Sequence, residues 1–217
     1  MIEQFSIAAD PPVKGYLHRP ESASSYGLVL THGAGGNAQM PLLVAMAEAF
    51  ANAGFTVLRC DLPFRQQRSF GPPRPGDAAR DRLGLKNAIE ALRGLGGPKR
   101  LFVGGQSYGG RQASMLLAEE PLADGLLLLS YPLHAPGKPD QLRVQHLPQI
   151  KVPVMFVHGT HDPFGTIEEI ETARKLIPVK TLLVPVQSAG HDLGFKGKSK
   201  REALPSLVFK EFQQFFG

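Results

Sequence analysis

Six short apolar runs punctuate this chain, and each is followed by a helix-length segment or a long loop. They are Gly27–Thr31, Phe55–Arg59, Arg100–Val103, Gly125–Ser130, Val152–His158 and Thr181–Val186. The run that begins at Gly125 is almost wholly leucine, the pattern of a strand buried on both faces. Strands that alternate with helices imply a mostly parallel sheet, because a parallel pair needs a long crossover. Those crossovers are right-handed, and ligands collect at the carboxyl ends of the strands. The expected fold class is therefore α/β, a mostly parallel central sheet with helices on both faces. Ahead of these runs, Gln4–Ala8 and Lys14–His18 alternate like two strands joined through Asp10-Pro-Pro12, an antiparallel edge. Neither a repeat nor a linker divides the 217 residues, so one domain spanning 1–217 is expected.

Helices are expected from about Ala38 to Asn52, from Asp77 to about Leu92, after Gly110, over Ile167–Leu176, and from about Glu202 to Phe216. Asn37 and Asp77 read as N-caps, Gly54 as a stop, and Pro205 as a bend in the last helix. Prolines cluster at Pro63, Pro72, Pro73 and Pro75, and again at Pro132, Pro136, Pro139 and Pro148. Leu62–Gly76 and Tyr131–Ile150 are accordingly predicted to be long, stiffened loops. The second is too short for a cap of several helices, so an open pocket is expected.

The chemistry starts at Gly105-Gln-Ser-Tyr-Gly109, between a strand and a helix. In that context G-x-S-x-G is a nucleophile elbow, a tight turn that lifts the Ser107 hydroxyl above the sheet edge. A serine hydroxyl needs a base, and the base needs a group that fixes its tautomer and stabilises its charge. Asp162 lies just past the strand that ends at His158, and His191 just past the last strand. Both loops leave the same sheet edge as Ser107. Asp140, in the loop after the leucine strand, is the competing acid. Negative charge on a carbonyl oxygen needs N–H donors, expected from Tyr108 and from Ala34 in the loop His32-Gly-Ala-Gly-Gly36.

These motifs together resemble the α/β-hydrolase superfamily along nearly the whole chain. H-G-A-G-G, G-Q-S-Y-G-G, G-T-H-D and the late G-H-D are similar to the dienelactone-hydrolase-like branch. They are closer to small bacterial proteins related to the hydrolase-like domain of the third subunit of the non-specific-lethal chromatin complex. The resemblance implies the α/β-hydrolase fold without a large cap, a Ser107–His191–Asp162 triad in that chain order, and ester or acyl hydrolysis. Dienelactone hydrolases typically carry a cysteine nucleophile, whereas this chain has Ser107. An acyl transferase or peptidase using the same residues, and a non-catalytic interaction module on the same fold, are the alternatives.

Substrate contacts are expected from Arg65 or Arg68, which follow a strand's carboxyl end and could fork onto an anionic group of a small ester. Lys196–Arg201 is a basic run, read as a solvated turn. The net charge of +5 is modest for this length and asks for no nucleic-acid partner. No histidine/cysteine cluster has metal-ligand spacing and no P-loop is present, so neither metal nor cofactor is expected. A single cysteine, Cys60, no signal-peptide layout and no membrane-length apolar run suit a cytoplasmic location.

Overall fold

The computed structural model describes residues 1–22, 25–96, 98–195 and 202–217. Eight strands form one sheet: β1 (Ile2–Ile7), β2 (Val13–His18), β3 (Tyr26–Thr31), β4 (Phe55–Cys60), β5 (Arg100–Gln106), β6 (Gly125–Leu129), β7 (Val154–Gly159) and β8 (Thr181–Val186). Their spatial order is β1-β2-β4-β3-β5-β6-β7-β8. β1 pairs antiparallel with β2, and β2 antiparallel with β4. All later pairs, from β3–β4 to β7–β8, are parallel. The chain leaves β3 for β4 on one side and then crosses to β5 on the other. The loops after β3 and β5 therefore diverge, and they open the crevice that doubly wound sheets offer to ligands.

Alternation along each strand builds two cores. Val29, Leu58, Val103, Leu126 and Leu128 face one side, against Leu85, Ile89 and Leu92 of α3 (Asp77–Gly94), Leu116 and Leu117 of α4 (Tyr108–Glu119), and Ile170 of α5 (Ile167–Arg174). Leu28, Leu30, Val57, Phe102, Leu127 and Leu129 face the other, against Met46 and Phe50 of α1 (Pro41–Asn52) and Phe212 and Phe216 of α6 (Leu204–Phe216). Edge-on contacts of Phe50 and Phe102 with Phe212 tie α1, β5 and α6 together. Truncating one of these buried leucines or phenylalanines costs about 2–5 kcal/mol. Among the described residues no helix is long and apolar enough to cross a membrane.

Four local expectations change. α1 begins at Pro41, not Ala38, because proline suits the first helical turn; Asn37 instead accepts from the Gln39 N–H in the preceding turn. Gly76 precedes α3, while Asp77 is its first residue and accepts from Arg68 and from the Arg74 N–H. The loop after β4 holds a short helix, α2 (Pro63–Gln67). Pro205 sits in the first turn of α6, where its missing N–H costs nothing, so it starts the helix rather than bending it. Thr166 and Glu169 form a reciprocal capping box on α5. The connection 131–150 contains one 3₁₀ turn, Leu147–Gln149.

The seam between β2 and β4 carries a buried polar pair. Arg59 Nε donates to His18 Nε2 at 2.8 Å, its Nη1 to the Ala38 carbonyl, and its guanidinium lies 4.9 Å from the Tyr16 ring. Burial, then Arg59, then the N-terminal ammonium hold the His18 pKa down from 6.5 to about 4. The folded state thus binds fewer protons than the unfolded one, so stability rises with pH across this window. The His18 contribution is complete above pH 6.5 and is lost as pH falls through about 4. Urea titrations over that range are expected to show less acid destabilisation in His18→Gln, which keeps an acceptor for Arg59. An unchanged slope would refute the assignment.

Candidate active site

Ser107 joins β5 to α4 with φ 50° and ψ −117°, a conformation an L-residue adopts only under constraint. The constraint is visible on both sides of it. A Cβ on Gly105 would stand 2.7 Å from the Thr31 carbonyl oxygen, and one on Gly109 would stand 2.4 Å from the His32 carbonyl oxygen. The first turn of α4 therefore lies directly on the end of β3, and only glycine allows this approach. Hydrogen bonds from Ser107 N to Leu129 O and from Arg111 N to Ser107 O, both 2.9 Å, hold the turn.

Asp162 and His191 meet this serine. His191 Nε2 lies 2.8 Å from Ser107 Oγ, and its Nδ1 lies 2.8 and 3.0 Å from the two carboxylate oxygens of Asp162. An ionised carboxylate only accepts, so Nδ1 carries the proton and Nε2 presents its lone pair to the serine hydroxyl. Asp162 is buried and also accepts from the Phe164 N–H at 2.9 Å. The Phe164 ring stacks on His191, with centroids 4.1 Å apart, and limits rotation of the imidazole. His158 lies behind the acid, with Nε2 2.8 Å from the Gly165 carbonyl and 3.6 Å from Asp162. Burial lowers its pKa, so it stays neutral and donates from Nε2. Asp140, the competing acid, is exposed.

The loop after β3 faces the turn. Its histidine is a strut: the Leu62 N–H donates to His32 Nε2 at 3.1 Å, which leaves Nδ1 to donate to the Gly33 carbonyl at 2.8 Å. Ala34 and Tyr108 line the cavity beside Ser107, and Tyr108 is the first residue of α4, where an N–H has no intrahelical acceptor. The Tyr108 hydroxyl is turned away, donating to buried Asp81 at 2.7 Å, and Asp81 also accepts from the Phe64 N–H. This carboxylate on α3 thereby ties α2 to the residue after Ser107. Burial raises its pKa.

Arg65 and Arg68 do not face the cavity. Arg65 is buried and spends its donors on carbonyls: Nε on Gly36, Nη1 on Arg68, and Nη2 on Ala34 and Gly71, at 2.7 to 3.1 Å. Those carbonyls belong to two loops, after β3 and after α2, where the chain has no strand partner to pair them. Arg68 bonds Pro72 O and pairs with Asp77. The expected substrate arginines thus brace the loops around the site. Two other arginines, Arg111 and Arg143, line the cavity of about 550 Å³ above Ser107, with Met40, Phe164 and Phe195 among its apolar walls. Arg111 was findable, since it lies one helical turn after Ser107; Arg143 sits in an irregular loop and gives no spacing signal. Asp192 also borders the cavity, with Oδ1 accepting from the Gly194 N–H. Cys60 is buried with its thiol pKa pushed up to about 12, which leaves it inert. The run Lys196–Arg201 lies outside the described residues.

Because Arg65 satisfies four carbonyls at once, Arg65→Lys is expected to lower stability by about 2–4 kcal/mol, read from urea unfolding. Unchanged stability with a selective loss of activity on anionic esters would return Arg65 to the substrate.

The same arrangement of elements recurs in solved structures. A dienelactone hydrolase from Anabaena variabilis superposes with a TM-score of 0.79 at 22% identity, covering 99% of this chain and 98% of that one. An alpha-beta serine hydrolase homologue from Coxiella burnetii gives 0.77 at 16% identity, with 96% of each chain covered. Est1E from Butyrivibrio proteoclasticus gives 0.76 at 17% identity, with 98% of each covered. At these identities the likeness is one of fold. The family model of the alpha/beta hydrolase domain matches residues 24–214, from β3 and its approach through most of α6, and the chain belongs to that family.

Proposed function

We propose that this protein is a serine hydrolase that cleaves a small ester or related acyl compound through an acyl-enzyme. The observation that carries this reading is the unbroken pair of hydrogen bonds from Ser107 through His191 to Asp162 at the floor of an open cavity. Ser107 Oγ attacks the substrate carbonyl carbon while His191 Nε2 takes the hydroxyl proton. Asp162 keeps the imidazole in the reactive tautomer and stabilises the imidazolium. The carbonyl π electrons move to oxygen, and that oxyanion is met by the N–H groups of Tyr108 and Ala34, each contributing about two to three powers of ten in rate. Collapse of the tetrahedral intermediate expels the alcohol, which leaves with the proton from His191. Water then attacks the Ser107 ester, His191 again acting as base, and the acid departs with the serine restored.

Several features support small or extended substrates. The chain from 131 to 150 adds no α-helix over the site, and its Pro132 and Arg143 form one wall. Buried Asp81 and Arg65 fix the two backbone donors from behind without entering the cavity.

A fluorophosphonate probe is expected to label the wild-type protein on Ser107 and to leave Ser107→Ala unmodified, as read by peptide mass spectrometry. On a short-chain nitrophenyl ester, Asp162→Asn is expected to lower kcat by about four powers of ten through the wrong imidazole tautomer. A protein that takes no label and turns over no ester is an interaction module on the hydrolase fold.

A further inference from the structure

The lining of the cavity over Ser107 carries two arginines, Arg111 and Arg143, against one acid, Asp192. Arg111 stands one turn into α4, about 6 Å along the helix axis from Ser107. Its Nε is buried without a hydrogen-bond partner, and no described ion pair includes it. Arg143 approaches from the loop after β6. Its Nη1 donates to the Pro132 carbonyl at 3.1 Å, and it too lacks a carboxylate partner among the described ion pairs. Tyr131 and His146, packed around the two cations, bring no compensating charge. Tyr131 is fully buried, and its hydroxyl donates to the Arg143 carbonyl at 2.6 Å. His146 contacts Ser114 rather than an acid, and burial followed by Arg111 and Arg82 lowers its pKa to about 4, so it is neutral at pH 7. Arg82 is a third cation, already paired with Glu119. Asp192 is the acid that borders the cavity, bonded within its own loop.

Two guanidinium groups kept together in a partly desolvated site are costly unless an anion completes them. In Arg65, by contrast, Nε, Nη1 and Nη2 all donate to carbonyls. Much of the remaining wall is apolar, with Met40, Leu42, Phe164 and Phe195 beside the polar Gln106 and Asp192, which favours a singly charged planar group over a strongly hydrated dianion. A guanidinium edge matches the two oxygens of a carboxylate. We propose that Arg111 and Arg143 form a carboxylate subsite beside Ser107, so that the preferred substrates are short esters bearing a free carboxylate. One turn of helix separates Arg111 from the nucleophile, which places that carboxylate a few bonds from the scissile carbonyl, as in half-esters of short dicarboxylic acids. The subsite rests on the hydrolase reading above.

The test compares monoethyl succinate, glutarate and adipate with their diethyl esters, which keep the skeleton and lose the charge. At least one monoester is expected to exceed its diester in kcat/KM by about ten-fold or more, the worth of a charge-assisted hydrogen bond pair. Arg111→Gln and Arg143→Gln are each expected to lower the monoester value about ten-fold further than the diester value. Arg111→Lys recovers part of the preference, and fluorophosphonate labelling of Ser107 reports that each variant is folded. Independently of any variant, free glutarate is expected to slow labelling of the wild-type serine, whereas neutral glutaramide does not. Labelling of Ser107 without any monoester preference overturns the subsite and spares the hydrolase. So does a preference that survives both glutamine variants, or equal effects of glutarate and glutaramide. Absence of labelling in the wild type removes both readings.

Discussion

Everything at the functional edge of this molecule depends on how closely the first turn of α4 lies against the end of β3. The space available there is less than one methyl group, as the contacts at Gly105 and Gly109 show. That approach forces Ser107 to φ 50°, and the cost is carried by a sheet buried on both faces. The strain has a direct geometric product. It points Oγ toward His191 in the loop after β8, and it sets Tyr108 at the cavity that the loop after β3 also lines. A residue with relaxed backbone at position 107 would separate these groups.

The loops around the serine are held by buried polar groups rather than by packing alone. Arg65 gathers the carbonyls of Ala34, Gly36, Arg68 and Gly71, and Asp81 gathers the Phe64 N–H and the Tyr108 hydroxyl. His32 is locked between Leu62 and Gly33. Together they brace the loop after β3 and the first turn of α4 from behind, and the proposed stabilisation of a transient charge requires such bracing: donors already oriented before the charge appears. Polar networks of this kind are worth their desolvation only when each member is satisfied. Arg65 and His32 meet that condition. Arg111 does not, and it is the one that faces the cavity.

The strands were legible because their apolar runs are long, continuous and separated by glycine and proline, and six of the eight lie where the runs lie. The edge pair β1–β2 was legible from alternation. Helix starts were harder. Asn37 and Asp77 have cap chemistry, and each does accept a backbone N–H, but Pro41 and Gly76 decide where the helices begin. Residue type identifies a bond a side chain can make and leaves open which turn receives it. The same limit explains the arginines. Position past a strand end put Arg65 near the cavity, yet its direction depends on carbonyls of a loop some thirty residues earlier in the chain. Ser107, Asp162 and His191 escaped this ambiguity because three separate strand ends must converge on one sheet edge, whatever the loops between them do.

A second serine–histidine contact in the molecule shows which features matter. Ser114 Oγ lies 2.8 Å from His146 Nε2, the same distance as Ser107 from His191. Distance therefore cannot be the criterion. Ser114 sits in the second turn of α4, wholly buried, and its hydroxyl donates to the Arg111 carbonyl one turn back, so its proton is already committed. His146 has no carboxylate behind it among the described ion pairs, and burial, followed by Arg111 and Arg82, holds its pKa near 4, which makes it a poor proton acceptor at neutral pH. Ser107 differs in all of these respects. Its strained turn keeps the hydroxyl off its own helix, its histidine is backed by buried Asp162, and the pair opens onto a cavity. The proposed chemistry thus rests on backbone geometry that leaves the hydroxyl proton uncommitted and on a buried carboxylate that stabilises the charge the base would take up.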